Sequence, residues 1–183
     1  MGNNDPLYDN KSPKSLQKYR KMHALKAHHA WLISLFAALP AFGQGETGAG
    51  DLSSSFDRGT IIIEAEQDAC YRFDVYLATS REQQIRGLMH VRQLPAFTGM
   101  LFGYAEPDMR SMWMKNTYIS LDILFIHDNG TISNIEANTE PLSLKSISST
   151  EPVTYVLELN AGVTAKLHID TNSLVHLNRS EGN

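Results

Sequence analysis

Between residues 60 and 177 the chain is cut into short apolar runs, each closed by turn-forming residues, and this rhythm constrains the fold more than any other feature. "TIIIEA" (60–65) is β-branched and continuous. "CYRFDVYLA" (70–78) alternates, with Tyr71, Phe73, Val75 and Leu77 on one side and Arg72, Asp74 and Tyr76 on the other. Together they predict a hairpin about "EQDA". "GMLFGY" (99–104), "SMWMKNT" (111–117), "LDILFI" (121–126), "TISNIEA" (131–137) and "VTYVLELN" (153–160) read as further strands, with "KLHID" and "SLVHL" as the last pieces. Asn129-Gly130 is the preferred pair for a type I′ hairpin turn. Ser80 and Gln83 stand in capping-box relation, and Ile85, Leu88 and Met89 follow at helical spacing, which predicts a short amphipathic helix ended before Pro95. The expectation is a mainly β fold: a single compact β-sandwich or barrel-like domain of short strands with one or two short helices.

The first part of the chain has a different texture. Six basic residues precede Trp31 (Lys11, Lys14, Lys18, Arg20, Lys21 and Lys26), followed by the apolar "AWLISLFAAL" (30–39) and then "PAFGQGETGAG". A positive flank, a short apolar core and small residues at a cut site form a secretory signal. Ala41 and Gly43 suit the positions before cleavage, so residues 1–43 read as a leader, with the true start possible at Met22, and Gln44 as the new N-terminus. The apolar run is about half the ~20 residues that a spanning helix needs, so no stable membrane insertion is expected after cleavage. Residues 44–58, rich in Gly, Ser, Asp and Glu, read as a flexible linker. The β-domain is expected over 59–178 and a tail over 179–183. From Gln44 onward 10 Lys and Arg face 18 Asp and Glu, moving the net charge from −4 to −8. That balance argues against nucleic acid as a partner. The protein is expected outside the cytoplasm, periplasmic or extracellular, as a monomer without a cofactor.

Cys70 is the only cysteine, so an internal disulfide is impossible and the apolar core must hold the domain unaided. Lying between Ala69 and Tyr71 with no histidine nearby in sequence, it reads as a half-buried small hydrophobe.

"RGLMHV", "GMLFGY", "WMKNTYISLDILFI", "DNGTIS" and "YVLELNAG" resemble, in order and spacing, the signature blocks of domain-of-unknown-function family 192. The resemblance implies a compact, mainly β domain with a short helix, often exported, and carries no settled activity with it. Two departures stand out. Ser120 occupies a position where relatives usually have proline, and "LHIDTNSLV" replaces a glycine-containing turn.

Three chemistries compete for the unusual residues. Asp122 lies inside "ISLDILFI" and Glu158 inside "YVLELN". A carboxylate in a buried strand needs a cation or several N–H donors, or its pKa moves until it is neutral. Lys115, Arg86 and Arg92 are the available cations. The leading reading is a pocket or polar cluster near Arg86, Trp113, Lys115, Asn116, Asp122 and Glu158 that binds a small molecule or cell-envelope polymer, with Trp113 and Met114 plugging the core beside it. The rival is an envelope hydrolase using Asp122 or Glu158 as general base. The third is copper held by the thioethers of Met109, Met112 and Met114, since Cu(I) favours such ligands. His90, His127, His168 and His176 are scattered without paired ligand spacing, so no zinc site is expected.

Overall fold

The computed structural model describes residues 50–177. The leader, the first part of the expected linker and the tail lie outside the described residues. The chain runs α1 (Gly50–Ser53), β1 (Asp57–Ala65), β2 (Ala69–Ala78), α2 (Arg81–Arg86), β3 (Thr98–Asp108), β4 (Ser111–Met112), β5 (Leu121–Ile126), β6 (Ile132–Glu136), β7 (Ile147–Ser148), β8 (Val153–Asn160), α3 (Val163–Lys166) and β9 (Leu174–Leu177). Seven strands form one sheet in the order β6-β5-β8-β3-β2-β1-β9, while β4 and β7 pair separately. The domain is mainly β, as expected, and its sheet is curled into a half-barrel.

The curl brings the two edge strands together at one point. Thr131 bridges Leu174, and the Val175 N–H donates to the Gly130 carbonyl at 2.9 Å. Gly130 has a φ of +88°, and a Cβ there would collide with the Val175 carbonyl, so only glycine permits this contact. The β5–β6 hairpin expected from Asn129-Gly130 is present, but its turn is not type I′. Gly130 has positive φ and Asn129 does not; instead the Asn129 side chain accepts from the Thr131 N–H at 3.1 Å.

Closure gives the sheet two buried faces. The inner face carries Ile61, Phe73, Leu101, Leu124, Leu157 and Val175, contributed by strands across the whole sheet. The outer face carries Tyr76, Met100, Phe102, Ile123 and Val156, and is covered by Leu88, Val91, Leu94 and Met114 from the loops. All six residues of β5 are buried, which is why "LDILFI" reads as continuous rather than alternating. Tyr76, expected on the exposed side of its strand, is 3% exposed for the same reason.

Several local expectations are corrected. The stretch 50–58 is not all connector: α1 and the residues after it bring Leu52 and Phe56 into the outer core. The capping box at Ser80 and Gln83 forms, but α2 stops at Arg86, where Gly87 takes a φ of +46°. Ile85 therefore points to solvent instead of joining Leu88 in the core. "KLHID" is not a strand; Val163–Lys166 is a helical turn, and Asp170 then builds the turn into β9. Its Oδ1 accepts from the Asn172 N–H at 2.8 Å, and its backbone N–H donates to Ser173 Oγ at 3.0 Å. Ser120, the other departure, donates its hydroxyl to the Thr139 carbonyl at 2.7 Å and so ties the start of β5 to the loop after β6. Among the described residues no helix is long and apolar enough to cross a membrane.

Candidate functional site

The segment 111–120 is not one strand. Ser111 and Met112 pair with β7, and then the chain turns. Met114 goes fully into the outer core, while Trp113 and Lys115 on either side point outward. Trp113 is 52% exposed, so it does not plug the core. The turn is completed by Asn116 at a φ of +57°, a conformation asparagine tolerates better than most residues. Its carbonyl accepts from the His90 N–H at 2.8 Å, and Leu142 N–H donates to the Thr117 carbonyl at 3.0 Å. The Asn116 amide reaches only the Met89 sulfur, at 3.9 Å. Asn116 is therefore a turn former rather than a pocket-lining residue.

Above the outer face, α2 and this turn leave a recess. Gln84, Ile85, Arg86, Met89, Met112, Trp113 and Lys115 form its walls, and Glu158 lies at its base. Its cavity volume is about 20 Å³. About 10–15 Å³ on this scale holds one water, so the recess takes a water or one compact polar group, not a whole metabolite. Lys115 Nζ lies 5.9 Å from the centre of the Trp113 ring, and the Arg86 guanidinium lies 5.4 Å from that of Phe56. Gly87 permits the close approach of this wall, since a Cβ there would sit 3.2 Å from Phe102 Cζ.

Glu158 is placed by register. In β8 it stands opposite Met100 of β3 and Ile123 of β5. It is 4% exposed, and its Oε2 is buried without a hydrogen-bond partner. Burial pushes its pKa up to about 8, so at neutral pH it is mainly a neutral acid able to donate its proton to a hydrogen bond. Nearby Tyr104 is also pushed up, by burial first, with Arg110 opposing and Glu158 adding to the rise.

Asp122 has the opposite environment. It pairs with Leu159, one position from Glu158, and adjacent strand residues face opposite sides of a sheet. It is 0% exposed and has four donors: Asn138 N–H at 2.9 Å and Gly162 N–H at 3.1 Å on Oδ1, Thr164 N–H at 2.9 Å and Thr164 Oγ1 at 2.7 Å on Oδ2. These donors, rather than Lys115, Arg86 or Arg92, satisfy it. Arg92 instead lies over the Tyr118 ring at 4.7 Å.

The expected cluster therefore divides. Arg86, Trp113, Lys115 and Glu158 meet at the recess; Asn116 stands beside it, and Asp122 lies on the other side of the sheet. A two-carboxylate hydrolytic site needs both groups facing one cleft, and the strand register forbids that here. The thioethers also separate: Met109 is 53% exposed, Met112 lines the recess and Met114 is in the core. Among the described residues no group of three or more His, Cys, Asp or Glu is arranged to hold a metal. Gln84, Ile85, Met89 and Met112 line the recess without having been picked out for that role by sequence; the "RGLM" block was the available signal for this wall.

The comparisons identify the class of protein to which this curled half-barrel belongs. The chain belongs to the DUF192 family, described as Uncharacterized ACR, whose profile matches residues 61–177. It is similar to a solved structure described as a candidate transcription regulator from Sinorhizobium meliloti 1021, with 39% identity over 67% of this chain and 95% of that one and a TM-score of 0.66. It is also similar to a protein of unknown function from Novosphingobium aromaticivorans DSM 12444, with 31% identity over 68% of this chain and 88% of that one and a TM-score of 0.65. No curated protein matches the sequence.

Proposed function

We propose that this is an exported domain that binds a small molecule or envelope polymer, seating one compact polar group of it against Glu158 while the remainder lies across Trp113 and Ile85. The observation that carries this reading is the buried, unpartnered Glu158 oxygen at the base of an open recess. An orphaned buried polar group costs about 1–3 kcal/mol, and a ligand group that completes it offsets that cost. The turn that stands beside the recess is also strained. His90, Asn116 and Leu142 all have positive φ, and backbone hydrogen bonds join the three around residues 116–117. The regulator description of the Sinorhizobium relative is not carried over, because the acidic charge from Gln44 onward repels nucleic-acid phosphate.

Native mass spectrometry of the protein purified from its own envelope tests the binding role. A retained ligand is expected, and Trp113→Ala should release it without loss of fold. A ligand-free native protein, together with unchanged Trp113 emission on adding envelope extract in a Trp31→Phe background, refutes it. N-terminal sequencing of the same fraction tests export. The expected product begins at or near Gln44, and an intact leader on a membrane-embedded protein overturns that part.

A further inference from the structure

We propose that the group selected by the recess is a carboxylate on an apolar stem, with the Glu158 carboxyl donating a hydrogen bond to it and the Lys115 ammonium as its counter-ion. The inference rests on the binding role proposed above and adds the chemistry of the ligand.

The base of the recess is a carboxyl whose Oε2 is buried and unpartnered. Its mouth carries Lys115, exposed and able to swing its three donors inward. The Gln84 amide already donates to the Gly103 carbonyl at 2.7 Å, and the Met89 sulfur already accepts from Asn116. That spends the Gln84 donor and leaves its Oε1 as an acceptor at the wall, so the donors that set the selection are the Glu158 proton at the base and the Lys115 ammonium at the mouth. An ammonium entering it meets Lys115 and Arg86 on the walls and a carboxyl that burial keeps uncharged. A phosphate is larger, tetrahedral and more highly charged than a space of about 20 Å³ accommodates. A planar carboxylate has two acceptor oxygens, one for the Glu158 proton and one for Lys115. A hydrogen bond from a neutral acid to a carboxylate is short and charge-assisted. Behind the head group, Ile85, Met112 and Trp113 supply an apolar path to the surface.

The same arrangement sets the pH dependence. The charged and titratable groups around Glu158 are Arg86 from α2, Lys115 from the turn, and Tyr104 from β3, whose ring lies 3.9 Å under the Arg110 guanidinium. From β5 the neighbour on this face is Ile123, with Asp122 turned away. When Glu158 ionises, two carboxylates face each other and the bound state is lost, so affinity falls as pH rises.

Calorimetric titration of the full-length protein with hexanoate, hexanamide, hexylamine and a pentapeptide ending in phenylalanine, with free or amidated C-terminus, tests the assignment. Hexanoate is expected to bind at least about tenfold more tightly than hexanamide or hexylamine. Its affinity should drop by up to about tenfold per pH unit above about 8. Glu158→Gln retains a donor and should still bind hexanoate, with the pH dependence gone; Lys115→Gln should lose about tenfold with an unchanged melting temperature. Tighter binding of hexanoate assigns a free acid as the source, and tighter binding of the free-ended peptide assigns a chain terminus. Equal binding of hexanoate and hexanamide, or affinity that rises with pH, overturns the carboxylate while leaving the recess as a binding site. If no probe binds, the carboxylate falls, and the retained-ligand experiment separately decides the binding role.

Discussion

Replacing Asp122 by alanine removes one acceptor group from four donors at once. Two of them, the Thr164 N–H and Oγ1, are fully buried, whereas those of Asn138 and Gly162 lie in partly open surroundings where water can re-enter. A buried donor left without a partner costs about 1–3 kcal/mol. Two full penalties and two softened ones give a loss of about 4 kcal/mol, similar to that seen when a buried charge interaction is broken from one side. In a domain of this size 1 kcal/mol shifts the melting temperature by about 3–5 °C, so a fall of about 15 °C is expected. Asp122→Asn keeps one acceptor oxygen and sets an amide against the remaining donors, so its loss should be intermediate. Circular-dichroism melts and urea unfolding of the parent and both variants measure this. An Asp122→Ala protein within about 1 kcal/mol of the parent would falsify the structural role and show that the donors rehydrate without cost. Asn116→Ala acts elsewhere, through a left-handed backbone costing about 1–2 kcal/mol, and Asn116→Gly should restore most of it. On the sequence reading the two residues sat in one cluster, and a double variant would lose less than the sum. The structure gives them no shared partner, so their effects should add.

Glu158 titrates with the opposite sign to a stabilising carboxylate. Its unfolded form ionises near 4.5 and its folded form only at about 8, so between those values the folded state holds the extra proton and stability falls as pH rises, by at most ~1.4 kcal/mol per unit. Glu158→Gln should flatten urea midpoints across that window; equal pH slopes in parent and variant contradict the burial argument. Gly99→Ala would place a Cβ 2.7 Å from the Glu158 carbonyl and 2.8 Å from Leu159 Cδ2, so β3 and β8 must part, at a cost of about 1–3 kcal/mol. Gly103→Ala, whose nearest neighbour would be 3.8 Å away, is the control and should change the denaturant midpoint little. Met109→Leu with Met112→Leu should cost under about 1.5 kcal/mol and leave metal content by mass spectrometry unchanged; stoichiometric Cu(I) lost in that variant would restore the copper reading.

What the residues determine by themselves is local. Ser80 and Gln83 cap a helix because their side chains reach backbone groups three positions away. "TIIIEA" and "CYRFDVYLA" form a hairpin because the turn between them is short. "LDILFI" announces a strand buried on both faces because an exposed strand has no use for so continuous an apolar run. The length of α2 was hidden, since helical spacing carried through Leu88 and Met89 while the backbone turned at Gly87. Which carboxylate was satisfied and which was left open was decided only by tertiary structure. Asp122 and Glu158 have the same texture in sequence, an acid set among large apolar residues. A side-chain period of two gives each residue a face but not the partner across it, and the pairing of Ile123 with Glu158 and Asp122 with Leu159 sent them to opposite sides. On one side the chain returned through Asn138, Gly162 and Thr164, bringing four donors from residues far away in sequence. On the other it brought Trp113, Lys115 and a gap between the turn at Asn116 and the end of α2.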